Sequence, residues 1–116
     1  MKRVLGKHLI CEFWEIDPDI LNDSLLLIKT LQEGCESAGA TVLGHLEHQF
    51  DPQGITIILL LSESHCSIHT YPELQYASVD IFTCGDEVEP QVALEYIHDK
   101  IGGKMKFRRI ERGIPY

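Results

Sequence analysis

The stretch ITIILLL, residues 55–61, is followed without a break by the polar stretch SESHCSIHTYPE, residues 62–73. The first stretch is apolar at nearly every position, which is typical of a strand covered on both faces in the centre of a sheet. The second brings hydroxyls, imidazoles, a thiol and carboxylates to the end of that strand. Because polar groups are costly to bury unless they are paired, this density indicates either a solvated loop or a constructed site.

The segments on either side predict further strands and two helices. Five segments have the alternation or apolar content of strands: 8–14, 41–50, 55–61, 76–84 and 104–112. Two segments have apolar residues at helical spacing: 17–37 and 90–101. The resulting order, β-α-β-β-β-α-β, predicts an α+β fold, a two-layer sandwich with a mainly antiparallel sheet and its helices on one face. The other face of the sheet is left for a site or a partner.

Local signals set the helix ends. Asp17 is the predicted N-cap of the first helix, Pro18 suits its first turn, and Gly39 follows its end. Pro90 begins the second helix, and the pair Gly102-Gly103 ends it. The predicted buried stripe of the first helix consists of Leu21, Leu25, Ile28 and Leu31.

Length and composition predict one compact domain spanning residues 1–116, since 44% of the residues are hydrophobic and no repeat is present. The net charge of −8 argues against a nucleic-acid partner, because phosphate contacts need clustered Lys and Arg. It favours cationic ligands instead. Lys7, His8 and Glu12 interrupt the first apolar segment, which argues against a signal peptide or a membrane partner. We therefore expect a cytoplasmic protein whose four cysteines, which form no CxxC pair, are free thiols.

Two familiar chemistries fit the polar stretch poorly. The histidine pairs His45/His48 and His65/His69 lack a helical HExxH arrangement, and a spacing of three places His45 and His48 on opposite faces of a strand. No metal site is therefore predicted. A GxSxG elbow is also missing from the sequence, so the serines do not predict a hydrolase nucleophile.

A resemblance accounts for the polar stretch better. The chain resembles the bacterial and archaeal S-adenosylmethionine decarboxylase proenzymes, small pyruvoyl enzymes of polyamine synthesis. The motifs that carry the resemblance are Ser62-Glu63-Ser64-His65, Ile68-His69-Thr70, Pro72-Glu73 and Phe82-Thr83-Cys84-Gly85. It continues in Gly6-Lys7-His8-Leu9, Ser37-Ala38-Gly39-Ala40 and Glu111-Arg112-Gly113, and so spans most of the chain in the same order.

The resemblance implies that the chain cuts itself between Glu63 and Ser64, into a β chain 1–63 and an α chain 64–116. Ser64 would attack the Glu63 carbonyl and convert the peptide bond to an ester. Loss of the Ser64 α-proton, with His69 as proton acceptor, would expel the Glu63 carboxylate, and hydrolysis would leave a covalent pyruvoyl cofactor at Ser64. Thr56 stands where the family commonly has a serine that assists processing. On one continuous extended strand it would share a face with Ser64.

The resemblance also implies roles in turnover. The amine of S-adenosylmethionine would form a Schiff base with the pyruvoyl ketone and lose carbon dioxide, giving the aminopropyl donor for spermidine. Cys84 would be the proton donor to the substrate carbon, since an ordinary thiol is mostly protonated at neutral pH. Phe50 would stack on adenine and Glu73 would hold the ribose hydroxyls.

Sites of this family lie between two protomers, so a homodimer of two β and two α chains is expected. Ser64 and Cys84 would come from one protomer. The other would supply the remaining site residues: Thr56, His69, Glu73 and Phe50.

Two alternatives stay open from the sequence. The same fold and pyruvoyl chemistry could act on ornithine or arginine, because Thr56 and Tyr71 depart from residues common in the family. A binding or regulatory homologue that never processes is the second alternative. The joint presence of Ser64, His69 and Cys84 argues against it.

Overall fold

The computed structural model describes residues 4–113. In chain order its elements are β1 Gly6–Trp14, α1 Pro18–Leu21, α2 Ser24–Ser37, β2 Val42–Gln49, β3 Ile55–Leu61, β4 Ser64–Tyr71, a 3₁₀ turn Pro72–Leu74, β5 Tyr76–Cys84, α3 Pro90–Ile101 and β6 Lys104–Arg112. The six strands form one antiparallel sheet in the order β2-β3-β4-β5-β1-β6, and the helices pack on one of its faces. The predicted α+β two-layer sandwich is confirmed. Among the described residues, no helix is long and apolar enough to cross a membrane.

The sheet contains one more strand than predicted. Residues 64–71, expected to be a polar segment after the central strand, form β4 and pair with β3 and β5 along their whole length. The residues of β4 that face the helices include a thiol and a hydroxyl, Cys66 and Thr70, beside Ile68. Because polar residues occupy both faces, no apolar alternation marks the strand. The polar stretch is therefore built into the sheet.

The first predicted helix is two helices. Asp17 caps α1 through Asp19 N–H at 2.9 Å, and Pro18 is its first residue, as predicted. The chain then breaks, because Asp23 caps α2 through Leu26 N–H at 3.1 Å while Asn22 accepts a hydrogen bond from Gly54 N–H at 3.1 Å.

This break changes the phase of the helix, so the predicted stripe is partly wrong. Leu25 is 80% exposed, whereas Leu27 and Leu31 are buried against the sheet. Because α2 begins at Ser24, its buried face consists of Leu27, Thr30, Leu31, Gly34 and Cys35. The predicted bounds of α3 and β6 are confirmed as 90–101 and 104–112.

The core lies between the helices and one face of the sheet. Every second residue of the inner strands is buried there, as the alternation of a strand requires. The largest of these side chains are Leu9, Phe13, Ile55, Ile57, Leu59, Ile68 and Ile81, and α3 adds Leu94 and Ile97. Burying a side chain of this size stabilises a fold by about 1.5–3 kcal/mol, so this layer holds the sheet in place.

The opposite face of the sheet, here called the open face, carries no helix within residues 4–113. It mixes ionisable residues on β1, β4 and β5 with large apolar side chains, several of which are exposed: Ile10, Trp14, Leu46, Ile58 and Leu60. Exposed apolar area of this extent is typical of a surface that binds a partner.

The β3–β4 hairpin has a tight turn at Ser62 and Glu63. Its register pairs Leu61 with Ser64 at the turn and Thr56 with His69 near the far end.

One buried hydroxyl holds this far end to the helical layer. Thr70 Oγ1 donates a hydrogen bond to the Leu21 carbonyl at 2.8 Å and accepts one from Ile55 N–H at 2.9 Å. Thr70→Val should therefore destabilise the protein by about 2–4 kcal/mol, because valine keeps the shape but leaves both backbone groups unpaired. Urea unfolding followed by circular dichroism measures the loss. Thr70→Ser keeps the hydroxyl and should lose about 1 kcal/mol. Equal losses in the two variants would contradict this role of the hydroxyl.

Candidate active site

Glu63 and Ser64 lie in a turn that is tied to the start of β2. Ser62 N–H donates to the Thr41 carbonyl at 2.9 Å, and Thr41 N–H donates to the Glu63 carboxylate at 3.0 Å. The Thr41 N–H, with help from the Ser62 hydroxyl, holds the pKa of Glu63 below its usual value. Glu63 is thus fixed by its side chain as well as by the sheet.

The backbone between Glu63 and Ser64 is both strained and polarised. Ser64 has φ of 150°, a conformation that residues other than glycine rarely adopt and that costs about 1–3 kcal/mol. The Glu63 carbonyl oxygen, which belongs to the same peptide bond, accepts a hydrogen bond from Cys84 N–H at 2.9 Å. This donor points at the oxygen that would become negative if a nucleophile attacked the carbonyl carbon.

The surroundings of Ser64 are rich in hydroxyl and imidazole groups. Ser64 Oγ lies 3.4 Å from His65 Nδ1. Thr83 is the cross-strand partner of Ser64, and its buried hydroxyl has no hydrogen-bond partner among the described residues. Leaving a buried hydroxyl unpaired costs free energy, so the Thr83 hydroxyl is a candidate for a role in the chemistry at Ser64.

Cys84 follows Thr83 at the end of β5 and is exposed, whereas Cys11, Cys35 and Cys66 are buried. Burial raises the pKa of Cys11 to about 12, and contact with Cys35 together with burial raises the pKa of Cys66. These thiols are core residues. Cys84 instead lines a cleft of about 370 Å³ with Gly39, Glu63 and residues 85–88.

The remaining predicted site residues lie together at the far end of the hairpin. Phe50, Thr56, His69 and Glu73 line a cleft of about 430 Å³, with Gly54 and Tyr71 on its walls. The hydroxyl of Thr56 lies 3.0 Å from His69 Nδ1, which fixes the orientation of the imidazole. Phe50 is 51% exposed, and its ring packs edge-on against His48 with 4.6 Å between ring centres.

The two groups of residues are far apart within one chain. Ser64 and His69 are five residues apart on the same strand, which corresponds to about 17 Å. The expectation that Thr56 and Ser64 share a face is wrong, because it assumed one continuous strand. The turn at 62–63 reverses the chain, so that Thr56 pairs with His69 while Ser64 pairs with Leu61 and Thr83.

A cluster of ionisable residues, which the sequence alone does not reveal, lies on the open face beside Ser64. Asp80 lies between two imidazoles, 2.9 Å from His8 Nε2 and 3.3 Å from His65 Nε2, and Arg112 contacts His8 at 3.0 Å. The sequence does place His8 and Asp80 on the polar faces of their strands. Their meeting depends on the register of β1 against β5, which local sequence does not encode. In the part of the chain that the structure describes, no three His, Cys, Asp or Glu side chains are arranged to hold a metal ion.

Fold and site together define an α+β protein with a cluster of ionisable side chains on an open sheet face. Comparison with known proteins gives its family. The family model "S-adenosylmethionine decarboxylase" matches residues 7–113. A Bacillus anthracis relative named S-adenosylmethionine decarboxylase proenzyme 2 is 46% identical over 110 residues, which cover 94% of this chain and 89% of the relative. A Methanococcus aeolicus relative named S-adenosylmethionine decarboxylase proenzyme is 47% identical over 95 residues, or 82% of this chain and 81% of the relative.

A solved structure agrees with the sequence relatives. The crystal structure of the adenosylmethionine decarboxylase from Aquifex aeolicus superposes with a TM-score of 0.90 at 32% identity, covering 98% of this chain and 95% of the other. The chain belongs to the S-adenosylmethionine decarboxylase family, whose named relatives are decarboxylase proenzymes.

Proposed function

We propose that this chain is a self-processing, pyruvoyl-dependent decarboxylase of S-adenosylmethionine that supplies the aminopropyl donor for spermidine synthesis. The observation that carries the proposal is the strained Ser64 beside a Glu63 carbonyl that already accepts the Cys84 N–H. A turn without a chemical role would need neither the strain nor the aligned donor. The names of the relatives supply the substrate.

Processing would begin at the Glu63–Ser64 peptide bond. Ser64 Oγ attacks the Glu63 carbonyl carbon, and the Cys84 N–H stabilises the oxyanion that forms. The C–N bond then breaks and gives an ester, which relieves the backbone strain at Ser64. Removal of the Ser64 α-proton by a His69 imidazole expels the Glu63 carboxylate. Hydrolysis of the resulting dehydroalanine releases the Ser64 nitrogen as ammonia and leaves a pyruvoyl group at the new N-terminus.

The residues around Ser64 fit a pyruvoyl group formed there. A pyruvoyl group supplies a ketone that can withdraw the electron pair left by carbon dioxide. The Glu63–Ser64 bond borders the cleft that Cys84 lines, and Cys84 is the exposed thiol among the described residues. We assign Cys84 as the acid that returns a proton to the substrate carbon.

The separation of the two residue groups supports an active site shared by two chains. His69 is about 17 Å along β4 from Ser64, so it can act on Ser64 only if it comes from another copy. Two open faces stacked about a two-fold axis would bring the turn end of one hairpin to the far end of the other. They would also bury the exposed apolar residues of both open faces. We therefore propose a homodimer in which Ser64 and Cys84 of one protomer meet Thr56, His69, Phe50 and Glu73 of its partner.

The cleft at the far end of the hairpin suits an adenosyl ligand. Its volume of about 430 Å³ is in the range of small-molecule sites, and it presents an aromatic face at Phe50 and a carboxylate at Glu73. A carboxylate can accept hydrogen bonds from ribose hydroxyls, and the net charge of −8 favours a sulfonium cation. Ornithine and arginine contain neither an adenine ring nor a ribose that this cleft could bind.

Self-cleavage is the first test of this function. Purified wild-type protein should resolve by intact mass into chains 1–63 and 64–116, with a new carbonyl that reacts with hydride. Ser64→Ala should remain one full-length chain, because it lacks the nucleophile. Wild-type protein that stays uncut after prolonged incubation, with no reactive carbonyl, would disprove the pyruvoyl mechanism.

The shared site is tested by co-expression of two variants with different tags. Ser64→Ala and His69→Ala chains should each remain uncut alone. In a mixed dimer, one of the two sites combines an intact Ser64 with an intact His69, so the His69→Ala chain should be cut. Mass spectrometry of the isolated mixed dimer identifies which chain is cleaved. If the His69→Ala chain stays intact in that dimer, His69 does not act across the interface.

Substrate choice is tested by assaying carbon dioxide release from S-adenosylmethionine, ornithine and arginine side by side. Release from S-adenosylmethionine is expected. Phe50→Ala should weaken its binding about 5- to 150-fold, the range of base–aromatic stacking, and Glu73→Gln should weaken it through the lost charge-assisted bond. Leu25→Ala, at an exposed position of α2, is the control and should match wild type. Activity on a free amino acid alone would instead assign the protein to the ornithine or arginine decarboxylases.

A further inference from the structure

We propose that His65 is the base that accepts the Ser64 hydroxyl proton during ester formation, and that Asp80 and His8 of the same chain position it. This inference rests on the proposed self-processing and assigns its first step. It separates two proton transfers: His65 activates the hydroxyl within one chain, and His69 of the partner removes the α-proton afterwards.

The contact with Arg112 determines the tautomer of His8. A guanidinium can only donate hydrogen bonds, so Arg112 Nη1, 3.0 Å from His8 Nδ1, makes that ring nitrogen an acceptor. His8 Nε2 then carries the ring proton and donates a hydrogen bond to Asp80 at 2.9 Å. Asp80 thereby accepts a hydrogen bond from His8 and lies between the two imidazoles.

The tautomer of His65 follows from its contact with Asp80. Its Nε2 lies 3.3 Å from Asp80 Oδ1, so the carboxylate favours the tautomer with the proton on Nε2. Nδ1 then presents its lone pair to Ser64 Oγ, 3.4 Å away. Hydrogen bonds at reacting groups are often long at rest and shorten during the reaction. The order hydroxyl, imidazole, carboxylate is that of an activated serine nucleophile.

Packing keeps the imidazole of His65 in this orientation. The Phe82 ring packs against both histidines, edge-on to His65 at 5.8 Å and stacked on His8 at 5.1 Å between ring centres. The guanidinium of Arg112 lies over the same ring at 5.4 Å. Gly6 leaves the room for Phe82, since a Cβ at that position would collide with the ring. Residues from three other strands thus surround His65: His8 on β1, Asp80 and Phe82 on β5, and Arg112 on β6.

The proposed step balances within the chain. As Ser64 Oγ bonds to the Glu63 carbonyl carbon, its proton moves to His65 Nδ1, and the carbonyl oxygen becomes the oxyanion held by Cys84 N–H. When the C–N bond breaks, the same proton passes from His65 to the departing Ser64 nitrogen. His65 returns to its starting state, and no outside reactant is required.

Hydroxylamine separates the two proton transfers, because it cleaves an ester without needing the later elimination. His69→Ala should accumulate the ester and be cut at residue 63 by hydroxylamine. His65→Ala should form the ester about 10²- to 10⁴-fold more slowly, the usual contribution of a general base, and should resist hydroxylamine on the same time scale. Asp80→Asn should slow ester formation less, because the base remains but loses its orientation. His45→Ala and Asp99→Asn, both exposed and outside this cluster, are the matched controls and should process like wild type.

Added imidazole distinguishes a base from a structural residue. Imidazole should restore self-cleavage to His65→Ala but not to Ser64→Ala, and His65→Asn should behave like His65→Ala if both keep the wild-type circular dichroism spectrum. The inference is overturned if His65→Ala self-cleaves at the wild-type rate, or if hydroxylamine cuts it as readily as His69→Ala. A wild-type chain that never self-cleaves would overturn the proposed function instead, so the two failures are distinguishable.

Discussion

The hydrogen bond from Cys84 N–H to the Glu63 carbonyl is the contact on which the arrangement of this protein depends. It joins the β3–β4 turn to the end of β5, and so it holds a strained Ser64 at a fixed place against the sheet. The helical layer keeps those strands in register by burying their inner faces. A rigid two-layer fold can maintain a local strain of about 1–3 kcal/mol that an isolated hairpin would relax.

Sequence predicted what local chemistry encodes. Pro90 and the glycine pair after residue 101 define α3, and the alternation of residues 104–112 defines β6, so their bounds agree with the structure. β4 was missed because its polar side chains lie on both faces. The site motifs were found through their resemblance to a family, while the meeting of His8, His65 and Asp80 depends on pairing between strands far apart in sequence. Register of this kind is a property of the whole sheet.

The open face combines two demands that normally conflict. Its apolar residues favour contact with another surface, while its imidazoles and carboxylates would be costly to bury unpaired. The contacts of Asp80 with two histidines and of Tyr76 with Glu12 pair most of these groups within the chain. Burial and the hydrogen bond to Glu12 also raise the pKa of Tyr76 to about 12, which keeps its hydroxyl a donor. Because these ionisable groups already have partners within the chain, a second surface can cover them with a smaller desolvation penalty.

Strand order has a consequence for the chain after a cut at residue 63. The first fragment would carry β1, β2 and β3, and the second would carry β4, β5 and β6. In the sheet, β1 lies between β5 and β6, while β3 borders β4. The fragments would therefore be interlocked, since separating them requires three strand pairs to open together. The two fragments would therefore stay together in one folded domain after the peptide bond is cut. The irreversible cut would change the chemical groups at residues 63 and 64 without releasing either fragment.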